Sequence, residues 1–220
     1  MSTLTMPLLD SILAAKGLLN HISKDDVTPV IRQAAVIEHL GNRYLVATDR
    51  YSIGRFMLGA HDAFEGDFNQ TIPSDALLWV SKIMPKTLRR GTAPIAFNEG
   101  GYVVRFSWSE SGAGSGKLEI EVAIMFGDKV ERSQMYDVVS GSFPEIAILW
   151  RESDVVREPT ADVCLSHMSL SKIAADVALF DSKQGSVPLE FHSPGSKIAP
   201  VQYRIGTRWS AIVQPNVNLR

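Results

Sequence analysis

Apolar side chains recur at helical spacing in three separate stretches of the chain. Residues 7–21 (PLLDSILAAKGLLNH) and 166–180 (SHMSLSKIAADVALF) each carry an apolar stripe with a period close to that of a helix. The stretch between them opens at residues 73–75 (PSD), where proline and polar residues suited to a helix start precede a largely apolar run. The pattern therefore predicts three helices, well separated along the chain.

Each predicted helix is followed by short apolar or alternating runs that end at glycine or polar residues, as strands do. The predicted strands are residues 30–40, 44–47 and 52–58 after the first helix, 94–97, 102–108 and 117–124 after the second, and 187–191, 201–205 and 210–213 after the third. Runs of strands after each helix, without strict alternation of strand and helix, indicate an α+β fold with antiparallel sheets.

The order of helix and then strands occurs three times, so we predict three repeated units. Ser-Lys-Ile recurs at residues 81–83 and 171–173, and Pro-x-x-Phe at residues 94–97 and 188–191. A charged stretch with a proline near its end, WRESDVVREPT, separates the second unit from the third. We therefore expect residues 1–150 to form one domain of two units and residues 151–220 to form a C-terminal unit with a tail.

Composition narrows the class of protein. The 220 residues are 45% hydrophobic and 21% charged, which suits a globular protein with a sizeable core. No apolar run reaches the length needed to cross a bilayer, so no membrane association is expected. The single cysteine, Cys164, excludes an internal disulfide and a cysteine-rich zinc site and suits a reducing cytoplasm, which is the expected location. The net charge of −2 means that binding to nucleic acid requires positive charge gathered on one face.

The glycine-rich stretch at residues 111–117 (SGAGSGK) invites comparison with a phosphate-binding loop. Ser111 stands where that motif has its first glycine, and Leu118 stands where a magnesium-binding hydroxyl is needed. Strand-like runs flank the stretch on both sides, whereas a phosphate loop opens a helix. The sequence favours a hairpin loop.

No catalytic or metal-binding pattern stands out. The histidines lack metal-ligand spacing, the neighbouring Asp25 and Asp26 fit a solvated turn, and there is no Gly-x-Ser-x-Gly elbow. The five histidines are His21, His39, His61, His167 and His192. We therefore expect no catalytic residues, no metal and no cofactor.

Basic residues cluster at the end of the second predicted helix. Lys82, Lys86, Arg89 and Arg90 follow one another without an intervening acidic residue. Such residues can complement the dipole of a helix C-terminus, or they can make sequence-independent contacts with DNA phosphates. The residues alone leave both interpretations open. Lys16 and Lys172 place one further DNA-facing candidate on each of the other predicted helices.

Three segments together resemble the bacterial DNA polymerase III beta subunit, the sliding-clamp family. They are residues 45–56 (LVATDRYSIGRF), 142–146 (SFPEI) and 210–220 (SAIVQPNVNLR). These match the family's Thr-Asp-Gly-His-Arg-Leu segment, its Phe-Pro-Asp corner and its Met-Pro-Met-Arg-Leu tail. By this resemblance residues 30–150 correspond to the family's middle domain, and residues 161–220 to the second half of its last domain.

The resemblance implies a DNA-clamp fold of repeated helix-and-strand units, whose helices line a hole that holds duplex DNA without reading its sequence. It also implies a pocket for peptides of polymerase and clamp loader. The positions carried over to that partner-peptide pocket are Thr48, Arg50, Tyr51, Ile53, Pro73, Leu77, Ile212, Val213, Pro215 and Val217. An apolar groove with polar rims suits short hydrophobic peptides, although the same apolar residues also suit strand and helix core.

The chain departs from the family in sequence and in length. Arg50, Tyr51 and Ser52 replace Gly-His-Arg, and Gln214 and Asn216 replace the methionines of the tail. The pocket is therefore expected to be more polar and to accept a different peptide. Because a closed ring of this family has twelve units, three units a chain imply a tetramer, whereas a trimer needs a fourth unit. The small size fits a phage or mobile-element member.

These expectations lead to two functional hypotheses. The first is a DNA polymerase processivity factor, a homo-oligomeric ring that encircles duplex DNA, is opened by a clamp loader and tethers polymerase. The alternative is a clamp-derived adaptor or decoy that keeps the peptide pocket, forms no ring and binds replication or transcription partners.

Overall fold

The computed structural model describes residues 1–67, 70–83, 101–111, 115–124, 130–139, 141–146, 149–150, 165–180, 189–192 and 200–215. Within these residues the elements are described in three groups, units one to three, each with one helix. The first contains β1 (Ser2–Pro7), α1 (Leu8–His21), a 3-10 turn (Pro29–Arg32), β2 (Gln33–His39), β3 (Asn42–Thr48) and β4 (Ser52–Met57). The second contains β5 (Ala63–Glu65), β6 (Thr71–Pro73), α2 (Ser74–Ser81), β7 (Tyr102–Ser111), β8 (Ser115–Ile124) and β9 (Val130–Val138). The third contains α3 (His167–Phe180), β10 (Leu189–His192), β11 (Val201–Ile205) and β12 (Trp209–Val213).

The α+β fold class is confirmed, and the three helices lie where the apolar stripes predict them. The pattern missed the strands that run directly into a helix, β1 and β6, and the two edge strands of the five-stranded sheet, β5 and β9. Strand β9 is exposed over most of its length, so it lacks the alternation of buried and exposed residues that marks a strand in sequence. The predicted strand at residues 94–97 lies outside the described residues.

The strands form two antiparallel sheets that units one and two share by exchanging strands. The five-stranded sheet has the order β5-β1-β7-β8-β9 and the seven-stranded sheet the order β10-β11-β12-β4-β3-β2-β6. Strand β1 of unit one pairs with β7 of unit two, and β6 of unit two pairs with β2 of unit one. Each of the first two units is therefore completed by a strand of the other.

The hairpin interpretation of residues 111–117 is confirmed. Strands β7 and β8 pair antiparallel throughout, and Ser111 stands opposite Ser115 at the end of the ladder. The glycine-rich stretch connects two strands and opens no helix, so it lacks the geometry with which phosphate loops bind phosphate.

The helices form one layer, with α1 packed against α2 on one side and α3 on the other. The main core lies between this layer and the sheets. Strand β2 shows how the period of two divides its side chains, because Ala34 and Val36 face this core while Ala35 and Ile37 face the opposite side of the sheet.

The third unit joins the first through both its sheet and its helix. Strand β12 pairs with β4 along its length, so the seven-stranded sheet runs without a break from one unit to the other. Trp209 of β12 is 1% exposed and lies against Gly17 of α1 and Gly54 of β4. A Cβ atom added to Gly17 would lie 2.8 Å from the Trp209 ring, and one added to Gly54 would lie 2.9 Å from the same ring. Both positions therefore need glycine for this close approach.

Candidate functional site

The turn between β3 and β4 is organised by the Thr48-Asp49 pair. Asp49 Oδ1 accepts hydrogen bonds from the backbone N–H of Tyr51 (3.1 Å) and from the backbone N–H and hydroxyl of Ser52 (2.8 and 2.9 Å). Thr48 Oγ1 donates to the carbonyl of Ser52 (2.9 Å) and accepts from the N–H of Arg50 (3.2 Å). These side chains satisfy backbone groups that the tight turn leaves free of the ladder, which is a physical reason for Thr-Asp at this point.

Arg50 adopts a left-handed backbone conformation in this turn, with φ of +78°. Glycine reaches this region without a steric penalty, and the resembled family has glycine here. The Arg50 side chain contacts the segment after α1, with Nη1 lying 3.7 Å from Asp25 Oδ2 and Nη2 donating to Thr28 Oγ1.

Part of the predicted partner pocket comes together on the outer face of the seven-stranded sheet. Thr48 pairs with Ile53 across β3 and β4, and Ile53 pairs with Ile212 across β4 and β12. The chain after β12 follows the same turn, because the N–H of Gln214 donates to the carbonyl of Tyr51 (2.9 Å) and Pro215 is buried just beyond.

The other predicted pocket residues do not join this row. Val213 faces the main core beneath the helices and is fully buried. Leu77 also lies in the main core, and Pro73 is the last residue of β6, which is separated from β12 by β4, β3 and β2. The prediction for Val217 falls outside the described residues.

Sequence reasoning missed the residues that cover this outer face. Ile53 and Ile212, each 5% exposed, pack in a second apolar cluster with Phe143, Ile146 and Trp150. The segment SFPEI contributes to the family resemblance, but its packing on a sheet was not predicted. The spacing of its apolar residues is the sequence signal that could have indicated this packing.

Arg55 is held within this outer cluster by two aromatic rings. Its guanidinium carbon lies 4.6 Å from the centre of the Tyr44 ring and 4.2 Å from that of Trp150. Its Nε donates to Ser210 Oγ at 2.7 Å. The contact links β3, β4 and β12 to the covering segment through cation–π interactions, which are strongest where water is excluded.

The turn residues Arg50 and Tyr51 instead line a separate groove of about 590 Å³ between α1, the turn and α3. Tyr51 is 72% exposed and Met168 of α3 is 64% exposed. The remaining lining residues are Leu19, Asn20, Ile22, Ser23, Lys24, Asp25, Asp49, His167, Ser171, Lys172 and Ala175. The predicted pocket therefore divides into a covered outer row and an open groove on the side of the helices.

A fully buried carboxylate fastens the third unit to the first. Asp176 of α3 accepts hydrogen bonds from Asn20 Nδ2 (2.8 Å), His21 Nε2 (3.0 Å), the hydroxyl of Tyr203 (2.7 Å) and Trp209 Nε1 (2.8 Å). Because a carboxylate only accepts, the Nε2 atom of His21 carries a proton. The sequence signal that could have indicated this buried carboxylate is the acidic residue within the apolar run IAADVALF.

Ser52, His21 and Asp176 are arranged in the order of a hydrolase triad, but they form a packed structural network. His21 Nδ1 lies 3.0 Å from Ser52 Oγ, and the His21 and Asp176 side chains are 0% exposed. Ser52 is itself buried and also contacts Asp49 and Lys172. A nucleophile needs access to substrate, which this serine lacks.

Burial and pairing shift two pKa values in this region. Burial raises the pKa of Asp49, but the hydrogen bond and charge of Lys172 together with the hydrogen bonds of Ser52 outweigh burial, so the pKa lies below the ordinary value of 3.8. For Tyr203, burial and then the neighbouring charge of Asp176 raise the pKa, so the hydroxyl stays protonated and donates to that carboxylate.

Arg208 supplies a second fastening between the third unit and the first. Its Nη1 donates to Asp10 at the start of α1 (2.6 Å), its Nη2 donates to Asp62, and its Nε donates to the carbonyl of Met57 (3.1 Å). Burial raises the pKa of Asp62 despite this pairing. The guanidinium also lies 4.4 Å from the centre of the Phe56 ring.

The described DNA-facing candidates differ in their surroundings. Lys16 is exposed on α1, and Lys82 is exposed directly after α2. Lys172 is largely buried, with its side chain 18% exposed and its Nζ bound to Asp49 Oδ2 and to Ser52 Oγ. Lys86, Arg89 and Arg90 lie outside the described residues.

None of the helices described is long and apolar enough to cross a membrane. In the same part of the chain, no three His, Cys, Asp or Glu side chains are grouped as metal ligands are.

The described residues form an α+β fold with antiparallel sheets, and the solved structures that share this fold are DNA sliding clamps. The chain is similar to DNA polymerase III subunit beta from Borrelia burgdorferi in complex with a natural product, with a TM-score of 0.65 and 8% identity over 99% of this chain. It is similar to the DNA polymerase sliding clamp from Bacillus subtilis, with a TM-score of 0.63 and 11% identity over 99% of this chain. For the clamp from Pseudomonas aeruginosa with ligand, the TM-score is 0.62 at 10% identity over the whole chain.

The match covers this chain fully but covers its neighbours only in part. The chain spans 64% of the Borrelia burgdorferi and Bacillus subtilis subunits and 66% of the Pseudomonas aeruginosa subunit. No protein-family model matches the sequence, and no curated protein matches it. At these identities the likeness establishes the fold.

Proposed function

We propose that the protein is a DNA polymerase processivity factor that encircles duplex DNA as a homo-oligomeric ring. The clamp fold over the whole chain is the observation that carries this proposal. Such a factor works by encircling the DNA, so it requires a closed ring and a positive inner surface but no catalytic group.

The helix layer supports DNA as the partner. Lys16 on α1 and Lys82 after α2 are exposed on neighbouring helices. Two lysines on adjacent helices can contact phosphates without reading bases, and Lys86, Arg89 and Arg90 would extend the positive surface. Lys172 would first have to leave its ion pair with Asp49.

The outer face and the groove support a second role as a docking platform. A polymerase or clamp-loader peptide would meet Tyr51 and Met168, which are exposed at the groove, while Ile53 and Ile212 are covered by the chain itself. We propose the groove as the docking site, with specificity that differs from the resembled family because Arg50 and Tyr51 line it.

Retention on circular DNA tests the ring. The protein is loaded onto nicked circular DNA with a clamp loader and washed at rising salt, and half of the sample is then linearised. A ring stays on the circle at high salt and is lost on linearisation, whereas a protein held only by charge is lost from both as salt rises. Equal loss from circular and linear DNA would overturn the proposal.

Charge reversal tests the inner surface. Lys16→Glu and Lys82→Glu are expected to lower the salt dependence of DNA binding, by a slope of about one for each phosphate contact removed. Lys117→Glu is the matched control, since Lys117 is an exposed lysine that lies on strand β8 and pairs with Asp137. An equal effect of all three substitutions would contradict a DNA-facing helix layer.

The adaptor remains the second candidate because the chain spans less than two thirds of the Borrelia burgdorferi clamp. An adaptor would bind a polymerase peptide as a monomer and would not be retained on circular DNA. Mass in solution and retention on circular DNA distinguish the two functions, because both bind the peptide at the groove.

A further inference from the structure

The inner faces of the sheets in units one and two are buried in the main core, and these units show what a completed unit looks like. The first described strand after the helix is β2 in unit one and β7 in unit two. Ala34 and Val36 of β2 are 0% exposed, and Val104 and Phe106 of β7 are 0% and 2% exposed. Both strands are also paired along their outer edge by the strand exchanged from the other unit.

The third unit lacks this cover within the described residues. Among the described strands, β10 is the first after this helix and lies at the end of the seven-stranded sheet. Leu189 and Phe191 are 36% and 53% exposed, although they stand opposite the buried Ile205 and Tyr203 of β11. The Phe191 and Tyr203 rings are in contact, with centroids 6.4 Å apart, so Phe191 faces the helix side of the sheet.

In the described part of the chain, helix α3 also packs against other elements on one side only. Ile173 and Asp176 are buried against unit one, while Leu170 on another side of the helix is 53% exposed. Ala174 and Ala178 are exposed at the next two positions of the same stripe, spaced four residues apart. In units one and two the equivalent helices α1 and α2 pack against each other.

The exposed stripe of α3 is uncharged. The charged residues of this helix are Lys172 and Asp176, and both are turned toward unit one, where Lys172 pairs with Asp49 and Asp176 with His21. In a contact about a two-fold axis, side chains close to the axis lie near their own equivalents, so like charges would repel there. The absence of acidic and basic side chains suits such a contact.

We propose that the third units of two chains pair about a two-fold axis, with α3 packing against α3 and the exposed edge of β10 covered by the second copy. The pair forms a domain of the kind that units one and two form within one chain. The inference rests on the proposed function because it names the self-contact of the ring: a dimer has six units, and two dimers have twelve.

The mass of the protein in solution tests this contact. The wild-type protein at micromolar concentration is expected to be a dimer or a tetramer. Ala174→Glu places like charges across the axis and is expected to weaken association on the order of 100-fold or more. Ala175→Glu is the matched control, because Ala175 is the exposed neighbouring residue but lines the groove beside Lys172.

Crosslinking tests the geometry independently of affinity. In a Cys164→Ser background, Ala174→Cys is expected to give a covalent dimer under mild oxidation and Ala175→Cys is not. A monomeric wild-type protein, or Ala174→Glu with unchanged mass, overturns the proposal. Lower thermal stability of Ala174→Glu without a change of mass also overturns it, because a segment of the same chain then covers α3.

The dimer and the ring function can fail separately. A wild-type dimer that Ala174→Glu dissociates, but that is not retained on circular DNA, supports the contact and overturns the processivity role. Retention of the Ala174→Glu variant on circular DNA with wild-type mass supports the ring and overturns this contact.

Discussion

Arg50 stands at the one position of the turn after β3 where the backbone is left-handed, with φ of +78°. A residue with a side chain is strained there by about 1–2 kcal/mol relative to glycine. Its contacts with Asp25 and Thr28 are at exposed side chains and offset little of this cost.

Arg50→Gly is therefore expected to raise the free energy of unfolding by about 0.5–1 kcal/mol and Tm by roughly 1–4 °C. Arg50→Ala loses the same contacts but keeps the strain, so it should not be stabilised. The measurement is thermal unfolding of the three proteins. A stabilised Arg50→Ala variant would show that the arginine side chain and not the backbone is the source of the strain.

Asp49 links the same turn to α3, and its lowered pKa makes that link depend on pH. An acid whose pKa is lower in the folded state adds stability above its unfolded pKa of about 3.9, and that stability is lost as pH falls through the folded value. Asp49→Asn is expected to lower the unfolding free energy by about 1–3 kcal/mol at pH 7. Urea unfolding from pH 7 to pH 3 should show the unfolding free energies of the wild-type protein and Asp49→Asn converging in acid. A free-energy difference that stays the same at every pH would exclude the lowered pKa of Asp49 as its origin.

At the scale of elements, the close approach of α1, β4 and β12 depends on glycine. A Cβ atom on Gly54 would lie 2.6 Å from the His21 ring and 2.9 Å from the Trp209 ring. These rings are buried and cannot move without disturbing the hydrogen bonds to Asp176.

Gly54→Ala is expected to destabilise the protein by about 1–3 kcal/mol through overpacking. Gly116→Ala is the control within a strand, since a Cβ atom there meets Val138 at an ordinary 3.5 Å. The urea midpoints, followed by tryptophan fluorescence, compare the two variants. Equal midpoints would mean that the three elements can separate freely.

The three units repeat an order of elements, and the sequence also contains a repeated tripeptide. The order of elements repeats, but the repeated tripeptide does not occupy equivalent places, because Ser81 is the last residue of α2 whereas residues 171–173 lie inside α3. The repeat is therefore one of topology, and the matching letters are incidental.

At the scale of the whole molecule, the third unit is held to the first by the β12–β4 ladder, by Asp176 and by Arg208. Asp176 accepts every polar hydrogen directed at it from His21, Tyr203 and Trp209, so its loss leaves buried donors without an acceptor.

Asp176→Asn is expected to cost about 2–4 kcal/mol and to loosen the third unit before the rest of the molecule. Hydrogen exchange should rise in α3, β11 and β12 more than in β7 and β8. Asp67→Asn, at an exposed residue, should leave both patterns unchanged. Uniform loss of protection would show that the three units unfold as one.

The candidate site was predictable only in part. Thr48, Ile53 and Ile212 do meet, because each follows from its strand and the strands are neighbours. Leu77 and Pro73 lie elsewhere because the exchange carries β6 to the far end of the sheet. The cover by Trp150 follows from the path of the chain across that face, which strand pattern does not specify.

The sequence by itself determined the helices, most strands, the glycine-rich hairpin and the Thr-Asp turn, because periodicity and turn chemistry act over a few neighbouring residues. The tertiary structure alone decided the strand exchange, the ladder between β4 and β12 and the burial of Asp176, whose hydrogen bond to His21 joins residues 155 positions apart. Such contacts depend on which apolar faces pack together, and many distant pairings are compatible with the same local pattern.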